Sequence, residues 1–210
     1  MPINFSNLNS VIANLKSFKK SELMIVTKNQ TIQDIEALIS KNYYLFGENR
    51  VQEAKLKYEN LNERKKLKLH MIGPLQTNKV KIAIKIFDTI QTIDRFSLVD
   101  EVSKSLNKET TITKEFYIQV NIGYENQKSG ISVKELPDLY RYCLNKKINV
   151  VGLMCIPPNL DDPSKYFEKM NNIRDKIDKS LKLSMGMSND YKYALSFNSD
   201  LIRIGSLIFS

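Results

Sequence analysis

Two cationic residues stand at apolar stretches of this sequence, and their positions suggest chemistry. Lys28 directly follows the apolar run 23–27, so its side chain leaves a strand that is expected to be buried. Partial desolvation would favour the neutral amine, which is the form that attacks aldehydes. The structural alternative is a lysine at a strand end that extends its amine into solvent.

Arg203 lies inside the apolar run 201–204, where an unpaired guanidinium would be costly, so it needs a partner. Gly205 and Ser206 follow at once, and this small turn can offer backbone N–H groups and a hydroxyl to an anion. Met187 and Ser188 form a similar small turn, although Ser188 could instead cap a helix. The sequence therefore predicts an anion site made by two turns.

Two further polar residues are candidates with open alternatives. Asn49 could contact a ligand, or it could cap the helix expected to begin near Arg50. His70 is the single histidine of the chain, and no Cys, His or carboxylate stands at metal-ligand spacing from it, which argues against a metal site. A lone histidine near a strand end is usually a hydrogen-bonded core residue.

The elements that must position these residues alternate along the chain. Most of the β-prone runs are continuously apolar, which is typical of parallel strands that are buried on both faces. Segments with helical periodicity separate them, and no linker or repeat interrupts residues 1–210, which predicts one α/β domain. Eight runs favour a closed (β/α)8 TIM barrel over an open sheet, and the first twenty residues predict an extra N-terminal helix. The runs are 22–27, 43–46, 68–72, 89–93, 116–121, 149–154, 181–185 and 201–204.

Polar residues follow the ends of most predicted strands, which is where barrels of this type collect their functional groups. We therefore expect them to meet at one mouth: Lys28, Asn49, His70, Thr92, Asp94, Asn121, Met187, Ser188, Arg203, Gly205 and Ser206.

Six collinear segments resemble the pyridoxal phosphate homeostasis protein family, also called the YggS/PROSC family, whose members are similar to the barrel domain of alanine racemase. The resemblance extends from about residue 20 to 210. The segments are Met24–Lys28, Phe46–Glu53, His70–Lys79, Gln119–Gly130, Leu183–Asp190 and Leu201–Ser210.

The resemblance implies roles for the candidate residues. Lys28 would hold pyridoxal 5'-phosphate (PLP) as a Schiff base, and Arg203 would reach the ring nitrogen of the cofactor. Asn49 would contact the ring hydroxyl, and His70 would lie near the cofactor. The phosphate would be bound by Met187, Ser188, Gly205 and Ser206. Lys79 and Lys128 belong to family motifs but are expected at the surface.

The sequence departs from the family before the last strand, where Asn198–Ser199–Asp200 replaces Gly-Ser-Thr. A glycine there could hold a turn with positive φ, which asparagine tolerates only partly. Asp200 is expected to add negative charge near the phosphate end. We therefore expect PLP binding to be retained but weaker.

Composition argues against other classes of protein. The formal net charge of +9 comes from scattered lysines, which favours a solvated basic surface over a nucleic-acid interface. No apolar segment approaches the length of a membrane span, and the first residues lack a signal-peptide pattern. The two cysteines, Cys143 and Cys155, form no framework, which suggests the reduced environment of the cytoplasm.

Two functions remain open at this stage. The first is a non-catalytic protein that stores, buffers or delivers PLP, with apo-PLP enzymes as its acceptors, and that is a monomer or weak homodimer. The second is a PLP-dependent amino-acid racemase. The resemblance implies that racemases of this type take a second base, a tyrosine, from a further domain, and the sequence ends at Ser210, so the first function is expected.

Overall fold

A closed barrel of parallel strands, surrounded by helices, forms the structure. The computed structural model describes residues 3–125, 127–159 and 162–209. The eight strands pair in chain order, and β8 closes the barrel against β1, which confirms the predicted TIM barrel. The strands are β1 Glu22–Val26, β2 Leu45–Glu48, β3 Lys68–Met71, β4 Thr89–Ile93, β5 Glu115–Val120, β6 Val150–Cys155, β7 Lys182–Ser184 and β8 Leu201–Ile204.

Helices follow the strands, and the expected extra helix, α1, precedes β1. Short 3-10 turns at Arg64–Lys66 and Thr77–Lys79 flank β3. No helix in the described residues is both long and apolar enough to cross a membrane. The helices are α1 Phe5–Leu15, α2 Ile32–Ile39, α3 Val51–Tyr58, α4 Val80–Ile86, α5 Phe96–Leu106, α6 Leu136–Asn145, α7 Ser164–Ile177 and α8 Tyr191–Ser196.

Local sequence explains where helices begin. Thr31 and Asp34 form a capping box at the start of α2, because each side chain accepts a hydrogen bond from the backbone N–H of the other. Pro137 lies in the first turn of α6, where its missing N–H costs nothing. Apolar strand residues and the inner faces of the helices form one continuous core.

The β1–β8 seam sets the position of the predicted site. Met24 pairs with Arg203 and Ile25 with Ile204, so the residues that follow β1 and β8 leave the barrel side by side. Lys28 and Gly205 therefore emerge at the same end of the molecule, at the carboxyl ends of the strands.

Candidate functional site

A cavity of about 440 Å³ opens at the carboxyl ends of the strands. Of the residues expected at the mouth, seven line this cavity, whereas His70, Thr92, Asp94 and Asn121 do not. The predicted residues in its wall are Lys28, Asn49, Met187, Ser188, Arg203, Gly205 and Ser206. A larger groove of about 560 Å³ lies outside the barrel beside α3 and α4, and none of the predicted site residues lines it.

Lys28 lies in the turn after β1 and is exposed, while the preceding Thr27 is buried. The expected desolvation of its amine is therefore not found. Asn29 adopts φ 62°, a left-handed conformation that asparagine takes more readily than most residues. The chain thus turns sharply directly after Lys28.

Arg203 is buried within β8, with only 3% of its surface exposed. Its Nη1 donates to Ser184 Oγ at 2.8 Å, and its Nη2 donates to the carbonyl of Cys155 at 2.9 Å. The prediction of a partner is confirmed, although both partners are neutral. Among the described residues no carboxylate oxygen lies within 4.0 Å of Arg203, so the alternative of a buried ion pair is not found.

A directional chain of hydrogen bonds runs from Arg203 across the barrel interior. Ser184 Oγ donates to Gln91 Oε1 at 2.7 Å, and the Gln91 amide donates to His70 Nδ1 at 2.9 Å. Burial, aided by the positive charge of Lys68, lowers the pKa of His70 to about 3, so its ring is neutral and Nδ1 can accept. We name Arg203, Ser184, Gln91 and His70 the interior polar chain.

This arrangement changes the interpretation of His70. It lies behind Arg203, three hydrogen bonds further along the interior polar chain, and does not line the cavity. Its direct contact with a cofactor stays a prediction, which the geometry does not favour. Gln91 and Ser184 were missed, although both are buried polar residues within strands, Gln91 in β4 and Ser184 at the end of β7.

The turns after β7 and β8 are joined by side chains. Asp190 Oδ1 accepts from the N–H of Met187 at 2.6 Å, and Ser188 Oγ accepts from the N–H of Leu207 at 3.3 Å. Asp190, and not Ser188, occupies the cap position of α8, so the helix-cap alternative for Ser188 is wrong. Burial raises the pKa of Asp190, while the Met187 N–H and the Arg203 charge oppose that rise.

The turn after β8 presents donors to the cavity. Within the described residues, the N–H groups of Gly205 and Ser206 donate to no protein acceptor, whereas the Gly205 carbonyl accepts from Ile208 and Phe209. A Cβ at Gly205 would lie 3.2 Å from both the carbonyl oxygen and Cβ of Val26, so glycine allows the turn to approach β1 closely. Two free N–H groups and the Ser206 hydroxyl can together bind an anion.

Asn49 follows β2 and is half-buried. Helix α3 begins at Val51, and the residue at its cap, Arg50, makes no side-chain cap, so Asn49 does not cap the helix. A Cβ at Gly73 would lie 2.2 Å from the Asn49 carbonyl oxygen, which means that only glycine fits there. The loops after β2 and β3 therefore pack closely together, and Asn49 lines the cavity.

Three expectations about other residues need correction or refinement. Asn198 has φ 58°, as the glycine of the family would allow, but it precedes β8. Asp200 also precedes β8, and its Oδ2 accepts from the Leu183 N–H at 2.7 Å. Both lie at the amino ends of the strands, so the prediction that Asp200 adds negative charge near the phosphate end is wrong.

Lys128 was expected at the surface, but it lines the cavity and donates to the Pro157 carbonyl at 3.1 Å.

Comparison with known proteins identifies relatives along most of this chain. Residues 3–210 match the family described as alanine racemase, N-terminal domain. The pyridoxal phosphate homeostasis protein of Aquifex aeolicus is 40% identical over 174 residues, which are 79% of this chain and 75% of the relative. That of Pasteurella multocida is 34% identical over 202 residues, which are 90% and 85% of the two chains.

Solved structures show the same fold. PipY of Synechococcus elongatus PCC7942 is 26% identical, and the alignment covers 98% of this chain and 99% of PipY. The TM-score is 0.87 for PipY without PLP and 0.79 for PipY with PLP bound. The resemblance drawn from six sequence segments is thereby confirmed. The chain belongs to the pyridoxal phosphate homeostasis proteins, within the family of the alanine racemase N-terminal domain.

Proposed function

We propose that this protein binds PLP in the cavity at the mouth of the barrel, holds it covalently on Lys28, and stores or delivers it without turning over a substrate. The observation that carries the proposal is that one cavity contains an exposed amine, a buried guanidinium and a turn with free N–H groups. The names of the relatives and the PLP bound to PipY support it.

The donor set fits the chemistry of PLP. A lysine amine can condense with its aldehyde, and the N–H groups of Gly205 and Ser206 suit its phosphate. The Asn49 amide can bind the ring hydroxyl, and Arg203 can donate to the ring nitrogen. A cavity of about 440 Å³ is of the size that takes a small cofactor. Bound PLP supplies the reactive aldehyde and a ring that can accept electrons.

Arg203 is the reason to propose binding without catalysis. A guanidinium in a protein stays protonated, so Arg203 can donate to the ring nitrogen but cannot accept a proton from it. A ring nitrogen that only accepts a hydrogen bond stays unprotonated and withdraws electrons weakly. Ser184 and Cys155 fix the guanidinium from behind. Carbanion formation on a bound amino acid is therefore discouraged.

Transfer to an acceptor tests the delivery function. The PLP-loaded protein is mixed with an apo-aminotransferase, and we expect its visible absorption band to decline as aminotransferase activity appears. Free PLP at the same concentration controls for release into solution. The proposal of delivery fails if the loaded protein keeps its band and the acceptor stays inactive while free PLP activates it.

Three further proposals concern the protein as a whole. We propose that residues 1–210 act as one PLP-binding domain and that the protein is a monomer or weak homodimer. We propose a cytoplasmic location, which the two free and buried cysteines, Cys143 and Cys155, support. Burial raises the pKa of both thiols to about 12, so neither is a reactive thiolate at neutral pH.

A further inference from the structure

A cluster of charges lies directly behind the Lys28 turn, outside the cavity. At its centre Lys57 Nζ donates to three acceptors: the Thr27 carbonyl at 2.7 Å, Glu48 Oε1 at 2.9 Å and Glu53 Oε1 at 2.6 Å. An ammonium has three N–H donors, so each of them is used. We name Thr27, Glu48, Glu53 and Lys57 the Lys57 cluster.

The Lys57 cluster holds the backbone on both sides of Lys28. Before Lys28, the Thr27 carbonyl accepts from Lys57. After Lys28, the Asn29 N–H donates to Glu53 Oε1 at 2.6 Å, the same oxygen that accepts from Lys57. One ammonium–carboxylate pair therefore fixes the turn in which Asn29 takes φ 62°. This turn sets the direction in which Lys28 leaves the barrel.

The cluster is partly buried, although burial of charge is costly: Thr27 and Glu48 are buried, and Glu53 and Lys57 are half-buried. Glu48 is fully buried, and the Lys57 side chain is only 10% exposed. Glu48 Oε1 also accepts from Thr27 Oγ1 at 2.8 Å, and within the described residues Glu48 Oε2 has no hydrogen-bond partner. Burial raises the pKa of Glu48, and the charge of Lys57 opposes that rise. A buried charged cluster with one unpartnered oxygen adds little to the free energy of unfolding, which points to a role other than stability.

The same helix offers a contrasting pair. Lys55 on α3 and Glu59 directly after it are about half exposed and lie 3.7 Å apart, and in the part of the chain that the structure describes neither forms a hydrogen bond or ion pair with the Lys28 turn. Pairs of that kind contribute little to stability. Lys57 and Glu53 have the same i, i+4 spacing but point to the barrel, where they reach Thr27 and Asn29.

We propose that Lys57, held by Glu48 and Glu53, is a positioning residue that fixes the direction of Lys28 for bond formation with an aldehyde. The inference rests on the proposed function, since it concerns how the same lysine is presented. Correct orientation of two reacting groups accounts for large rate factors, and a displacement of about 1 Å can cost about 100-fold. The cluster keeps Lys28 oriented although the side chain itself is exposed.

The experiment separates bond formation from binding. Covalent capture of PLP is followed by stopped-flow absorbance, and affinity for the site is measured with pyridoxine 5'-phosphate, which has a hydroxymethyl group in place of the aldehyde. We expect Lys57→Met and Glu53→Ala to slow capture by about 10- to 100-fold, with analogue affinity within threefold of wild type. Lys55→Met is the matched control and should capture PLP at the wild-type rate.

A conservative variant of Glu53 and hydrogen exchange in the protein without PLP provide two further tests. Glu53→Gln keeps an oxygen acceptor for Asn29 and Lys57, so it should capture PLP faster than Glu53→Ala. In the protein without PLP, hydrogen exchange at the Asn29 amide should accelerate at least tenfold in Glu53→Ala and stay unchanged in Lys55→Met.

The outcomes distinguish this inference from the function on which it rests. If wild-type protein captures no PLP covalently, the proposed function fails. If wild type captures PLP and both cluster variants do so at rates within twofold, the positioning role alone is wrong. Equal losses of capture and analogue affinity would also overturn it, because they would indicate general damage to the site.

Discussion

The buried His70 gives a direct test of the interior polar chain. Its pKa falls from the ordinary 6.5 to about 3 because burial penalises the charged ring. The unfolded chain therefore binds a proton between these values that the folded protein does not bind. Stability should consequently fall as the pH falls below 6.5.

Substitution of His70 should remove this pH dependence. Between pH 7 and 5, wild type should lose about 2 kcal/mol more unfolding free energy than His70→Gln. Because the chain has a single histidine, the difference between the two proteins isolates its contribution. Urea unfolding at both pH values measures it. Parallel losses in the two proteins would show that His70 is not buried and neutral.

Arg203 should control the electronic state of bound PLP. In Arg203→Glu, a carboxylate near the ring nitrogen would favour its protonated form and shift the visible spectrum. Arg203→Gln removes the charge without adding a carboxylate, so its shift should be smaller. Both variants leave the Cys155 carbonyl without its donor and should lose about 1–3 kcal/mol of stability. Identical spectra of wild type and a folded, PLP-loaded Arg203→Glu would contradict this placement.

The sequence predicted seven of the residues that line the cavity, but not the residues behind them that hold them in place. Lys28, Arg203 and Gly205 stand out because a charge or a small turn follows an apolar strand. Lys57 does not stand out, since a lysine in a polar helix is normally solvated. Its role depends on the Thr27 carbonyl, which lies 30 residues earlier in the sequence and meets Lys57 only in the folded barrel. Such contacts between distant segments leave no periodic signal.

Among the elements, strand β2 shows that a buried charge makes the bounds of a strand hard to predict from sequence. It was predicted at 43–46 and is observed at Leu45–Glu48, two residues later. The observed strand ends at Glu48, a buried carboxylate of a kind that is rarely found in a strand. Lys57 and Thr27 provide the hydrogen bonds that allow it there. The other strands lie within one or two residues of their predicted bounds, because continuous apolar runs define them.

The two ends of strand β8 should respond differently to substitution. Gly205→Val places a branched side chain against Val26 and moves the anion-binding turn away from β1, so PLP affinity should fall at least tenfold. Asn198→Gly changes the turn at the other end of β8, where φ is 58°, and affinity should stay unchanged. Equilibrium titration of PLP measures both. Equal affinities of wild type and a folded Gly205→Val would contradict the anion site.

For the molecule as a whole, we predict that it stores PLP and does not turn over amino acids. The protein should convert free alanine or serine at rates far below about 1 s⁻¹, where ordinary enzymes begin, because Arg203 keeps the ring a weak electron acceptor. Tyr193 lines the cavity and is the group to test for a racemase. Chiral chromatography of the reaction measures conversion. Turnover of about 1 s⁻¹ that Tyr193→Phe abolishes would establish an enzyme instead.

The position of the covalent bond is the most direct test of whether Lys28 holds PLP. The PLP-loaded protein is reduced with borohydride, digested, and mapped by mass spectrometry. We predict that Lys28 is the single modified lysine and that Lys28→Ala shows no visible band of the bound form. Lys128 lines the same cavity, and Lys128→Ala should keep the adduct on Lys28. An adduct on another lysine, or a full band in Lys28→Ala, would contradict it.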